Sequence, residues 1–158
     1  MGDIAIYWSS MIISIMVLVP NLLWLIFPSS NTLSTGEGKK SFYLTIMERT
    51  GQFGVIMIPL FYPIVLNDAM SGAYLIIMSL LLLIYYGRWL RFFRGGRNHM
   101  LLFLPLWRIP IPQAIGPVLY FFFSAGLLKS FPMLLAASVF AIGHLPVSYR
   151  EYLRIFGL

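Results

Sequence analysis

The sequence predicts an all-α integral membrane protein with five transmembrane helices, its N-terminus outside and its C-terminus in the cytoplasm. Three observations carry this expectation. Of the 158 residues 59% are hydrophobic and 10% charged, uncharged stretches recur at the thickness of a bilayer, and threading those stretches sorts the basic residues onto one side. A soluble domain carries about a quarter of its residues charged. A chain this short cannot hide so much apolar surface in one core, so lipid has to cover the rest.

Cutting the chain at its charged residues leaves five windows, 4–27, 50–67, 69–87, 109–128 and 130–149, within one polytopic domain, 1–158. Each holds about 20 residues, which as helix reach about 30 Å, the depth of the hydrocarbon layer. All five are continuously apolar, whereas barrel strands alternate lipid-facing and lumen-facing residues. The first follows acidic Asp3, lacks a preceding Lys or Arg and shows no small-residue cleavage site, so it reads as a retained span and not as a signal peptide. Pro28 stops it.

The second window opens after Glu48-Arg49 and closes at Asn67-Asp68. Within it, Pro59 and Pro63 are expected to kink the helix and release backbone carbonyls, as in pores and transporters. The third runs into an arginine-bearing stripe and stops at Gly95-Gly96. The apolar stretch 100–107 contains Pro105 and is too short to span. It reads either as a segment lying at the cytoplasmic interface or as a re-entrant piece packed against protein. The fourth and fifth windows follow, with Pro132 near the start of the fifth.

Five spans place Lys39, Lys40, Arg88, Arg91, Arg94, Arg97, Arg108, Arg150 and Arg154 on one side, with Arg49 near it; Lys129 stands on the other beside Asp3 and Asp68. By the positive-inside rule the basic side is cytoplasmic, and the expected location is the cell (cytoplasmic) membrane. Topology thus accounts for the net charge of +6, and no nucleic-acid partner is expected. The absence of cysteine excludes disulfides, thiolate nucleophiles and Cys-rich zinc sites. No HExxH, carboxylate pair or phosphate-binding loop is present, so no metal site is expected and no cofactor is indicated.

Glu48, Arg49 and His144 are the candidate catalytic residues. Thr45, Glu48 and Gln52 share a helix face, with Arg49 about 100° round from Glu48. Ionisable groups at membrane depth are costly and face protein or water. The alternative is that Glu48 and Arg49 sit among headgroups while Gly51 and Gly54 allow close helix packing. His144 shares a face with Ser148 and Glu151 if Pro146 leaves the helix intact. A histidine beside a carboxylate can serve as proton carrier or general base, or be a hydrogen-bonded structural group.

Arg88, Arg91 and Arg94, interleaved with Trp89, Phe92 and Phe93, read as an interfacial anchor for anionic headgroups together with Arg97. The sharper reading makes Gln52, Arg88, Arg91, Arg94 and His99 ligand-binding residues for a phosphate-bearing group. Away from the charged ends, the main polar residues are Asn21 beside Pro20, Ser14 and Ser138. The function these features support is binding or modification of a lipid-like ligand at a cytoplasm-facing polar site. The alternatives are a small transporter or channel subunit, which would need a homo-oligomer to enclose a pathway, and a non-catalytic accessory subunit beside a partner membrane protein. Convergence of Glu48, Gln52 and His144 around a cavity separates these readings.

Overall fold

The computed structural model describes residues 5–30, 41–106 and 108–157. Among them the elements are helical: α1 (Ile12–Ile26, entered through a 3-10 turn at Trp8–Met11), α2 (Phe42–Met57, left through a 3-10 turn at Ile58–Phe61), α3 (Ala69–Arg94), the single turn α4 (Met100–Phe103), α5 (Pro112–Leu127) and α6 (Phe131–Phe156). Among the described residues three helices are long and apolar enough to cross a membrane: Trp8–Ile26, Ala69–Arg94 and Phe131–Phe156. The helices α2 and α5 have 16 residues each, about 24 Å of rise.

The second window is corrected by the structure. Its helix begins at Phe42, ahead of Glu48 and Arg49, and ends at Met57, with residues 62–67 outside any helix. The physical reason is Pro59, which cannot donate to the carbonyl of Val55 and so ends the α-helical ladder there. The freed carbonyl is not left open. Ser14 Oγ of α1 donates to Val55 O at 3.0 Å, Ser10 Oγ donates to Tyr62 O at 2.7 Å, and Tyr7 N donates to Leu60 O at 2.7 Å.

Pro20 is handled in the same way inside α1. Its missing N–H leaves Met16 O to the Tyr86 hydroxyl of α3, at 2.7 Å. In lipid no water can satisfy such groups, so these bonds both remove a penalty and fix α1 against its neighbours.

The remaining packing is backbone to backbone. A Cβ added to Gly51 would fall on the backbone nitrogen and Cα of Phe140, one on Gly143 would fall on the backbone nitrogen of Glu48, and one on Gly54 would come within 2.8 Å of Ala136 Cβ. The antiparallel helices α2 and α6 therefore cross at very close range, which only small residues permit. Helix α6 packs on α5, α5 on α3, and α1 closes the ring between α3 and α2.

One end of this ring gathers the C-terminal ends of α1, α3 and α6. Ser30 N bonds Arg97 O at 3.1 Å, and His99 Nε2 lies 4.0 Å from Glu151 Oε1. The other end carries the Lys129–Asp68 ion pair, 2.8 Å, where Asp68 also caps α3 through Ser71 N. Both Ser71 and Lys129 hold the Asp68 carboxyl below the usual carboxylate range, the lysine most strongly. The outward surface is apolar, with Leu25, Phe53, Ile76, Leu83, Leu135 and Ile142 all exposed. Asp3, Lys39 and Lys40 lie outside the described residues.

Helix α6 continues through Pro146 to Gly157, which adopts a left-handed φ of 67° and stops it. His144 accordingly stands near the middle of a 26-residue helix. The segment after α3 folds back against protein. Leu102 and Ile111 are buried, and Leu106 and Ile109 exchange backbone hydrogen bonds.

Candidate functional site

The centre of the site is a hydrogen bond between His144 Nδ1 and Glu48 Oε1, 2.7 Å long. Residues 96 apart in sequence meet because Gly143 lets the backbone of α6 touch that of α2 at Glu48. Phe140, one turn earlier on α6, stacks on the imidazole at 4.6 Å with 16° between the planes. The ring is thus fixed in plane by an aromatic and in rotation by a carboxylate. An ionised Glu48 accepts from Nδ1–H, and in the neutral ring that leaves the lone pair on Nε2. Among the described residues Nε2 has no hydrogen-bond partner.

Glu48 and His144 stand on the wall of a cavity of about 210 Å³. It lies inside the ring, and α1, α2, α3, α5 and α6 all contribute to it. Most of the wall is apolar: Val17, Leu18, Val55, Ile56, Pro117 and Phe121 on the helices, with Leu102, Phe103 and Ile111 closing the end nearer the basic residues. Polar groups enter singly. Gln52 follows Glu48 by one turn of α2, Ser148 follows His144 by one turn of α6, Asn21 comes from α1, Tyr85 from α3 and Gln113 from α5.

Asn21 and Tyr85 form a closed unit. Asn21 Nδ2 donates to the Tyr85 hydroxyl at 3.0 Å, and that hydroxyl donates to Val17 O at 3.2 Å. Gln113 differs: neither its Nε2 nor its Oε1 has a partner, and both are shielded from solvent. A buried amide left this way costs about 1–3 kcal/mol per group, a cost that a ligand or water reaching it would remove.

Of the residues singled out from the sequence, Glu48, Gln52 and His144 converge on the cavity. Arg49 does not. It is exposed, a third of a turn away from Glu48, and the pair that forms is Glu48 with His144. Arg91 and Arg94 are exposed on the outer side of α3, and Arg97 is half-buried in a left-handed conformation with φ 58°.

Arg88 turns inward and is 7% exposed. Its Nη2 donates to the carbonyls of Leu101, at 3.2 Å, Leu102, at 3.3 Å, and Leu104. Arg88 thereby clamps the segment that closes the cavity, a different task from its three neighbours in the stripe. Periodicity could not separate it, because an arginine facing lipid headgroups and one facing backbone carbonyls have the same spacing.

His99 lies apart from the cavity. Its Nδ1 is 3.3 Å from Ser29 Oγ, which accepts from the Trp24 indole at 3.3 Å; its Nε2 faces Glu151, which also binds Arg154 at 3.0 Å. Burial holds His99 below the ordinary histidine range; Glu151 opposes that and Arg154 adds to it. Tyr85 and Gln113 escaped sequence reasoning because a neutral polar side chain within an apolar run leaves the window unbroken. Asn21 carried a signal, its place beside Pro20.

The arrangement sets an imidazole, hydrogen-bonded to a carboxylate, on the wall of a mostly apolar chamber. Ser148 follows His144 by one turn of α6 and makes no hydrogen bond to it among the described residues. Among the described residues no cluster of His, Asp and Glu gathers to hold a metal ion. Comparison of the chain with known protein families, with curated proteins and with solved structures finds no match.

Proposed function

We propose that this chain is a five-span membrane protein that binds an amphipathic, lipid-like ligand in its central cavity, with His144 acting on the ligand's polar group as acid or base. The observation that carries the reading is the Glu48–His144 hydrogen bond on the wall of an otherwise apolar chamber. Ionised groups at such depth are retained where they have work to do. An apolar enclosure with a few convergent polar groups is the usual form of a small-molecule site. The ligand's chain lies against Val17, Val55 and Phe121, and its head meets His144 Nε2, Gln52 and Gln113.

In this reading the end bearing Arg91, Arg94, Arg97, Arg108, Arg150 and Arg154 faces the cytoplasm of a cell membrane. Arg91, Arg94 and Arg97 lie at the level of anionic headgroups. The shorter helices α2 and α5 complete the five crossings, the non-helical residues 62–67 carrying the chain onward from α2. Sealing of the Pro59 break by Ser14 and Ser10 weighs against ion transport, because the carbonyls that would coordinate an ion are already engaged. A cavity at the Glu48–His144 pair weighs against a purely passive subunit.

Native mass spectrometry of the protein released from lipid nanodiscs tests the reading. Wild type should retain an amphipathic ligand, and Ala114→Leu, which fills the cavity from α5, should lose it. His144→Asn should weaken retention by about 10- to 100-fold, the scale of a hydrogen bond to a charged group. Wild type that carries no ligand in any lipid mixture would sink the proposal.

A further inference from the structure

We propose that the central cavity selects an amphiphile with an uncharged head that both donates and accepts hydrogen bonds, a primary amide or an alcohol, and that Gln113 is the residue that reads it. The inference rests on the reading of the cavity as a ligand site and names the class of ligand which that site takes.

Charge on the wall sets the first condition. Among the described residues no lysine or arginine lines the cavity, and its acidic and basic side chains are Glu48 and His144. These two are bonded to each other at 2.7 Å. Together they carry one negative charge with the ring neutral and none with the ring protonated, so in neither state does the wall offer net positive charge. An anionic head would face the carboxylate with no cation to hold it, and an unpaired charge is costly in an apolar enclosure. A cationic head would have to take Glu48 from His144, leaving Nδ1–H without its acceptor.

Two other sources of positive charge are already engaged. Arg88, which holds the segment closing the cavity, is turned to backbone: its Nη2 donates to Leu101 O at 3.2 Å, to Leu102 O at 3.3 Å and to Leu104 O. A helix N-terminus attracts anions, and Gln113 stands in the first turn of α5. Pro112, however, has no N–H, and Ala114 N and Ile115 N both bond Ile111 O, at 3.0 and 3.1 Å.

The polar atoms left over define the head. Asn21 and Tyr85 are closed on each other and on Val17 O. Trp89 Nε1, shielded and without a close hydrogen bond of its own, is turned toward the Tyr85 hydroxyl and belongs with that unit. Gln113 keeps both its atoms free: Nε2, a donor, and Oε1, an acceptor, are shielded from solvent and unpartnered among the described residues, on the wall of the same chamber as the Glu48–His144 pair. A primary amide matches them through two parallel hydrogen bonds, and a hydroxyl gives one and takes one. A sulfonate only accepts, and a quaternary ammonium does neither. A site built to pair with an OH or NH rejects the analogue lacking it far more strongly than an apolar pocket rejects a change of size.

One chain carrying four heads provides the test. Nanodiscs are doped with equal mole fractions of tetradecanamide, tetradecanol, tetradecanesulfonate and tetradecyltrimethylammonium, and the probe retained by the released protein is identified by native mass spectrometry. The amide and the alcohol should be retained at least about tenfold better than either charged probe. Gln113→Met keeps the length of the side chain, removes both polar atoms, and should lower amide retention by about tenfold. Its thermal midpoint should equal or exceed that of wild type, because the unpartnered amide is gone. The comparison of heads on wild type needs no variant, so it decides even where Gln113→Met does not fold.

Charged probes retained as well as the amide would overturn the selection and leave the ligand site standing. Undiminished amide retention in folded Gln113→Met would overturn the assignment of Gln113. Retention of none of the four would remove the ligand site and the selection together.

Discussion

At the scale of single residues, the most consequential fact is that Glu48 found a partner 96 positions away while its neighbour Arg49 did not join it. Glu48→Ala should destabilise the protein by about 1–3 kcal/mol, because the His144 Nδ1–H loses its acceptor inside the bundle. Unfolding in mixed detergent micelles measures this, and His144→Asn combined with Glu48→Ala should cost less than the two single changes summed. His99 supplies a pH dependence. Its folded-state pKa is depressed below 6.5, mainly by burial, so the unfolded chain binds the proton more readily. Stability should therefore be constant above that value and fall as pH drops through the lowered folded pKa. Unfolding midpoints taken from neutral to acid pH should show the decline, and His99→Asn should flatten it. The site was legible in sequence to the extent that it is charged: Glu48 and His144 stood out against an apolar background, whereas Gln113 and Tyr85 gave no contrast.

At the scale of the elements, glycine placement decides how close helices come. Gly143→Ala would drive a methyl into the Glu48 backbone, within 2.6 Å of its Cα, and backbone cannot step aside. Separation of α2 from α6 should follow, with a loss of about 1–3 kcal/mol and a broken Glu48–His144 bond. Gly126→Ala meets the Tyr74 ring at 2.8 Å, the end of a rotatable side chain, and should be milder. Thermal unfolding of the two variants side by side checks the ranking. The same contact shows why the sequence misplaced α2: dividing the chain at charges puts a boundary at Glu48-Arg49, where the structure runs a helix from Phe42 through both. Cutting at charges assumes that charged residues lie outside helices in lipid, and the assumption fails where a charge is paired inside the bundle. The last window stopped short at Arg150, an exposed residue of α6, although the helix reaches Phe156.

At the scale of the molecule, the helical character and the apolar exterior were legible because each is a sum over many residues. The closure of the ring around a cavity was not, since it depends on which faces meet. The topology is directly testable because the chain has no native cysteine. Lys129→Cys and Arg154→Cys, each introduced alone, should react with an impermeant thiol reagent from opposite sides of sealed cells, Lys129→Cys from outside. Labelling of both from one side would remove the five-span arrangement.

The proline gaps have a consequence for how α1 is seated. Pro20 and Pro59 each expose one carbonyl at a fixed height, and each carbonyl is met by a hydroxyl from the facing helix, Tyr86 in one case and Ser14 in the other. Apolar side chains sliding past one another in lipid lose little, so packing alone leaves a membrane helix many nearly equal positions. A hydroxyl that must reach one particular oxygen leaves a single position. The two gaps therefore act as a key cut in the backbone itself, fixing the height and rotation of α1 and, with it, where Val17 and Asn21 stand in the chamber wall.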